Sequence, residues 1–201
     1  MAVTKGRVAI AAAGGLLMLA TGVSTAEAGS GASAASRFAQ QAESAHLTSA
    51  QTTALQADVD RYLKKMGGTQ VALNKIDLKD EGEILVALPG EARPRDFASG
   101  DGTRVAADPC LDVPGVSGNF CAYQRDNYSG SIIKMRQCNT KYYVSTWGRG
   151  GSWINDQTRN TESRRARMYN PNGTMIYKTP RAFSSDPHGD WNPVRYVIPC
   201  G

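Results

Sequence analysis

The sequence predicts an all-β domain over residues 108–201, stapled by two disulfides and preceded by a small α+β unit of one helix and one hairpin. Three observations carry this reading. All four cysteines, Cys110, Cys121, Cys138 and Cys200, fall in the last half of the 201 residues. Short β-rich runs alternate with turn clusters over that half, with no helical periodicity between them. Upstream, one segment with apolar residues at four-residue steps precedes two short apolar runs.

The elements follow in chain order. Lys5 and Arg7 precede an apolar run from Val8 to Val23, which closes on the small-x-small triplet Ala26-Glu27-Ala28. Residues 1–28 therefore read as a secretory signal peptide cut before Gly29. The run is shorter than the roughly 20 apolar residues of a membrane span, so a secreted, extracellular protein with no membrane span is expected. Residues 29–47, rich in Ser, Ala and Gly, read as a flexible leader. In the unit at 48–92, Thr48 or Ser49 caps a helix whose apolar face is Leu55, Val59 and Leu63, and Gly67-Gly68 stops it. Val71 to Ile76 and Glu83 to Leu88 read as two strands joined across Asp80-Glu81-Gly82. Pro89-Gly90 ends the pair, and residues 93–107 form a polar linker.

In the last segment, strands are expected over 120–124, 131–136, 141–146, 164–169, 174–178 and 194–198. Asn172-Gly173 marks a two-residue hairpin turn. In Arg164 to Tyr169, Ala166 and Met168 alternate with Arg165, Arg167 and Tyr169, so the basic cluster is expected on the wet face of a strand. Four cysteines in an exported chain allow three pairings. Cys110–Cys121 with Cys138–Cys200 is the one favoured, since it staples the start of the domain and ties its last residues to the middle. No C-x-x-C occurs and the chain has two His, so neither zinc nor another cofactor is expected.

The most informative spacing is Tyr123-x-x-x-x-Tyr128-x-Gly130. An aromatic closing one strand, a polar link, a second aromatic and then Gly suit a hairpin folded over its own sheet, with Gly taking a turn that excludes a Cβ. The run Phe120-Cys121-Ala122-Tyr123-Gln124-Arg125-Asp126-Asn127-Tyr128-Ser129-Gly130 resembles the signature hairpin of the βγ-crystallin Greek key. With Ser152-Trp153-Ile154-Asn155-Asp156-Gln157-Thr158 and the closing Val197-Ile198-Pro199-Cys200, it is similar to the secreted actinobacterial peptidase-inhibitor family typified by the Streptomyces metalloproteinase inhibitor. The likeness covers about the last half of the chain. The unit ahead of it resembles a leader found before such domains, and either a detachable pro-segment or a stabilising appendage fits it.

That resemblance implies a βγ-crystallin-like Greek-key sandwich of two small sheets. It also implies an inhibitor of thermolysin-like zinc proteases, which inserts a protruding loop into the protease cleft. A rigid, stapled scaffold would spare the loop much of the ordering cost of binding. No reactive bond carries over residue by residue. Two segments are candidate loops: Trp147 to Thr161, with Trp153, Asn155 and Asp156 at its centre, and Thr179 to Asn192. Some βγ-crystallin domains bind calcium through an Asn/Asp-Asn/Asp-x-x-Ser/Thr-Ser run. Here Asn155-Asp156-Gln157-Thr158-Arg159 opens that way but places Arg159 where a hydroxyl belongs, and Arg164 and Arg165 follow, so calcium is not expected.

An enzyme is not expected. The two His are His46, in the leader, and His188, in an Asp186-Pro187-His188-Gly189 run that reads as turn chemistry. Trp147, Trp153 and Trp191 read as core or edge filler before they read as sugar platforms. Residues 108–201 hold twelve Lys/Arg against seven Asp/Glu, whereas residues 29–107 are near balance. A basic face suits an anionic wall or an acidic protein; nucleic acid is not expected outside the cell. The expected function is thus a secreted, monomeric inhibitor of an extracellular protease. The alternative is a non-inhibitory crystallin-type module that binds cell wall, a membrane surface or calcium.

Overall fold

The computed structural model describes residues 36–99, 108–112, 118–159 and 161–201; the expected signal peptide and residues 100–107 of the expected linker lie outside them. Helix α1 (Ala39–Ser44) occupies part of the stretch expected to be a flexible leader. Phe38 and Ala42 anchor it by burial against the core. Helix α2 (Ser49–Met66) begins where the sequence places it. The Thr48 hydroxyl accepts from the Gln51 amide, and the Gln51 side-chain carbonyl accepts from the Thr48 N–H, a reciprocal cap. Leu55, Val59 and Tyr62 line its buried face.

The strands are β1 (Thr69–Ala72), β2 (Lys75–Asp77), β3 (Gly82–Leu85), β4 (Asn119–Arg125), β5 (Ser129–Met135), β6 (Tyr142–Tyr143), β7 (Ser152–Asp156), β8 (Arg167–Tyr169), β9 (Met175–Lys178), β10 (Ser184–Asp186) and β11 (Tyr196–Ile198), with a short helix α3 (Pro109–Asp112) before β4. The single strand expected over 71–76 is instead a tight hairpin. Asn74 is fully buried there, and its side-chain amide donates to the carbonyls of Val86 (2.8 Å) and Arg95 (2.9 Å), which fixes the reversal. β7 and β10 arise from segments expected to be loops. One sequence signal that hid β7 is its Gly-rich approach, which ends at Gly151, one residue before the strand.

All pairing is antiparallel. The larger sheet has the order β1-β2-β3-β5-β4-β7-β10, and the smaller one β6-β11-β8-β9. The N-terminal hairpin therefore continues the sheet of the cysteine-framed segment. β3 lies against β5 with Gly82 opposite Met135, Glu83 opposite Lys134 and Ile84 opposite Ile133. Charges bridge this seam: Glu83 pairs with Lys134 (2.8 Å) and Lys75 (3.0 Å), and Lys75 reaches Asp96 (2.9 Å). Burial alone would raise the Glu83 carboxyl, but Lys134 and Lys75 reverse that and hold it below its usual range. Trp147 donates its indole N–H to the Tyr62 hydroxyl (2.6 Å), and Tyr142 donates its hydroxyl to the Glu81 carbonyl.

Strand alternation sorts the core. Phe120, Ala122, Ile133, Met135 and Trp153 face a cluster shared with α2 and with Met168 and Val197 of the smaller sheet. On the other face, Cys121, Tyr123, Ile132 and Ile154 form a second cluster that Cys110 and Leu111 cover. The Cys110–Cys121 disulfide holds that cover down, and Cys138–Cys200 ties the last residues to the loop after β5. The favoured pairing is the one observed. Among the described residues no helix is long and apolar enough to cross a membrane.

Candidate functional site

The hairpin motif sets the frame. β4 and β5 turn between Arg125 and Ser129, and Asn127, Tyr128 and Gly130 all have positive φ, at 55°, 55° and 78°. The Tyr123 and Tyr128 rings meet edge to face at 5.5 Å. Tyr123 is fully buried, and burial together with the nearby Asp108 pushes its hydroxyl far above its usual range. A Cβ on Gly130 would come within 3.0 Å of the Gln124 Cβ, so this turn admits only Gly without a shift. The amide of Tyr128 donates to Ser152 Oγ (2.8 Å), which locks the fold-back onto β7.

Trp153, Asn155 and Asp156, expected in a protruding loop, lie in β7, an interior strand in which all five residues are buried. They act beneath the surface. Asn155 donates its side-chain amide to the carbonyls of Arg164 (3.0 Å) and Pro180 (3.1 Å) and to Thr179 Oγ1 (3.4 Å). Gln157 donates to the Asn155 carboxamide oxygen (3.0 Å) and to the Pro199 carbonyl (2.7 Å). Of the Asn155-Asp156-Gln157-Thr158 run, the Asn155 side-chain oxygen is thus engaged by Gln157 in the core. Trp147, Trp153 and Trp191 are all buried. His188 is exposed 3.6 Å from Asp126, and its amide donates to Asp186 Oδ1 in a local turn. Asp108, Cys110 and Cys121 lie close together, but the sulfurs are joined as a disulfide rather than free as thiolates.

What these buried side chains support is the β8–β9 hairpin. Residues 171–177 are exposed without a break, and they include Met175, Ile176 and Tyr177 at 48%, 42% and 42% exposure. The tip is a three-residue loop rather than the two-residue turn expected at Asn172-Gly173. The Gly173 and Thr174 amides donate to the Asn170 backbone and side-chain oxygens, and Asn170 N–H donates to the Thr174 carbonyl. Ile176 is the extra residue of a bulge, because Tyr177 pairs with Met168 and Met175 with Tyr169.

The hairpin is clamped at its base. Thr179 is fully buried, donates its amide to the Ala166 carbonyl (2.9 Å) and accepts from the Ala166 amide on its hydroxyl (3.0 Å). Glu162 receives Arg165, Lys178 and Arg181 at 2.8–2.9 Å. Those hydrogen bonds hold its carboxyl down to about 2. Behind the hairpin, Tyr177 packs against Trp153 at 6.1 Å. A cavity of about 400 Å³ opens there between β9 and β10, which are the edges of their sheets among the described residues, and it is lined by Trp153, Ile176, Tyr177, Asp186, Asp190 and Trp191.

No family model, curated protein or solved structure matches the chain. The sequence singled out Trp153 and Asn155 but not Met175-Ile176-Tyr177. A run of three apolar residues in a strand reads as buried, and only the Pro171-Asn172-Gly173 tip signalled a hairpin there.

Proposed function

We propose that this chain is a secreted inhibitor of a thermolysin-like metalloprotease, and that it presents β9 to the protease cleft as an extended, substrate-like segment. The observation that carries this reading is the exposed Met175-Ile176-Tyr177 run on a free sheet edge, held by buried polar groups at its base. A free edge offers main-chain hydrogen bonds to a cleft, and its apolar side chains fill the pockets alongside. The clamp at Thr179 and the Asn170 loop order the segment in advance, so binding loses little conformational freedom. Two disulfides suit an oxidising, extracellular setting. The Tyr123, Tyr128 and Gly130 geometry supports a βγ-crystallin-type Greek key as the underlying fold.

The test titrates thermolysin, subtilisin and trypsin with oxidised residues 29–201. Stoichiometric loss of thermolysin activity alone is expected, and Ile176→Asp abolishes it at an unchanged melting temperature. Full activity of all three proteases at molar excess overturns the reading.

A further inference from the structure

The outer face of the smaller sheet carries a second surface, independent of the inhibitor reading. Tyr143 of β6, Tyr196 of β11 and Tyr169 of β8 are paired across three adjacent strands, with Tyr196 opposite both others. Side chains at directly paired positions share a face, and their neighbours Tyr142, Val197 and Met168 point into the core. The three tyrosines therefore form a row on the solvent side, each of them half-buried. Tyr169 stacks on Tyr196 at 4.9 Å with 13° between the planes, and Tyr143 meets Tyr196 at 6.0 Å.

Cations flank the row. Lys141 Nζ sits 4.8 Å above the Tyr196 ring, and the Arg195 guanidinium lies 5.9 Å from the Tyr143 ring centre. The backbone fixes Arg195 between two strands, since its N–H donates to the Tyr169 carbonyl (2.7 Å) and its carbonyl accepts from Val144 (3.3 Å). Lys65, at the end of α2, reaches the same edge through Ser145 Oγ (2.7 Å). Partial burial and the repulsion of Arg195 both push its ammonium below the usual range. Arg167, two residues from Tyr169 on β8, extends the positive face. Among the described residues, none of these four cations has a carboxylate within ion-pair distance.

We infer that this face binds a polyanionic polysaccharide, whose carboxylate or phosphate groups meet Lys141, Arg195, Lys65 and Arg167 while its hydroxyls meet the tyrosine hydroxyls. Charge complementarity points to an anion, because the cations lie together without internal partners. The ring packing points away from nucleic acid. Tyr196, the central ring of the row, is covered by Tyr169 from the β8 side and by Tyr143 and Lys141 from the β6 side, so it offers a base no open face to stack on. A bilayer surface rewards apolar side chains that insert, whereas this row presents phenol hydroxyls and charged heads, with Met175, opposite Tyr169, as an apolar neighbour at its β9 end.

The experiment measures binding of oxidised residues 29–201 to polygalacturonate, with neutral dextran, single-stranded DNA and phosphatidylglycerol-containing vesicles as comparisons. Polygalacturonate is expected to bind at low salt and to weaken as salt rises, because exposed charges are screened. Lys141→Ala with Arg195→Ala lowers affinity by about tenfold or more, a change of about 1.4 kcal/mol per decade. Both side chains are exposed, so the melting temperature and protease inhibition stay as in the native chain. Lys141→Glu alone, which leaves the backbone clasp of Arg195 intact, gives a loss of the same direction. No binding to polygalacturonate, equal binding by the double variant and by Lys141→Glu, or tighter binding to DNA or vesicles each overturns the inference.

Discussion

Trp153 and Tyr177 meet at 6.1 Å across the mouth of the two sheets, one from an interior strand and the other from a free edge. The contact links the buried frame to the segment proposed to enter a protease. Asn155, two residues along β7, adds the polar half of the link through Thr179, Arg164 and Pro180. Asn155→Ala removes the side-chain donor of the Pro180 carbonyl and leaves the Arg164 carbonyl only the longer bond from Gln157 (3.4 Å). It is expected to lower stability by about 1–3 kcal/mol and to speed amide exchange over 175–178. A melting curve with hydrogen exchange checks this, and native exchange in that strand would break the link between β7 and the hairpin.

The seam between β3 and β5 makes a second prediction. A Cβ on Gly82 would fall about 2.0 Å from the Lys134 carbonyl oxygen, so Gly82→Ala must displace β3 from β5. The cost is expected to reach about 1–3 kcal/mol, as for other forced backbone conformations. Residues 108–201 produced alone also lose the partner strand of β5, the Tyr62 acceptor of Trp147 and the Glu83 partner of Lys134. Circular dichroism with denaturant should show no cooperative transition for that fragment. A native-like transition there would make the N-terminal hairpin an appendage.

Where a residue's local chemistry decided its structure, the sequence revealed it. The helix start at Thr48 or Ser49, the four cysteines, Gly130 and the Ala166/Met168 alternation all act through near neighbours or through a fixed chemical partner. β7 and β10 were hidden because Asn155, Asp156 and Ser185 are turn formers by propensity, and only tertiary pairing makes them strands. The candidate site was half legible. Trp153 and Asn155 belong to its support, but the exposure of Met175-Ile176-Tyr177 follows from β9 lying at a sheet edge, which strand order alone decides.

Cys138–Cys200 closes a loop of 62 residues. The chain-entropy model assigns such a closure about 4 kcal/mol. Cys138→Ser with Cys200→Ser is therefore expected to lower stability by a large part of that amount. It also leaves the Arg164 guanidinium, now 2.9 and 3.3 Å from the two sulfurs, without its packing surface. Chemical denaturation measures the loss. Alkylation of the unreduced native protein should label no cysteine, and labelling at either position contradicts the staple.

Gly130 lies in the left-handed region beside Gln124 and Arg125. Val is β-branched, so Gly130→Val adds both a disfavoured φ and a close contact. A loss of about 1–3 kcal/mol is expected. Gly130→Asn should cost less, because Asn tolerates this region better. Equal melting temperatures for native and Val forms would remove the fold-back hairpin from the account.

Glu162 gives the pH dependence of the hairpin clamp. Hydrogen bonds from Lys178, Arg165 and Arg181 hold its carboxyl at about 2, against an ordinary value of 4.5. A depressed carboxyl contributes stability above its unfolded value and loses that contribution as pH falls through the folded one. The clamp is therefore complete above about pH 4.5 and released towards pH 2. Because the group is exposed, the contribution is modest and shrinks with added salt. Amide exchange over 175–178 should be faster in Glu162→Gln than in the native chain at pH 6, with the difference closing as pH approaches 2. A difference that persists at pH 2, or none at pH 6 in low salt, would show that the three cations hold the hairpin without the carboxylate.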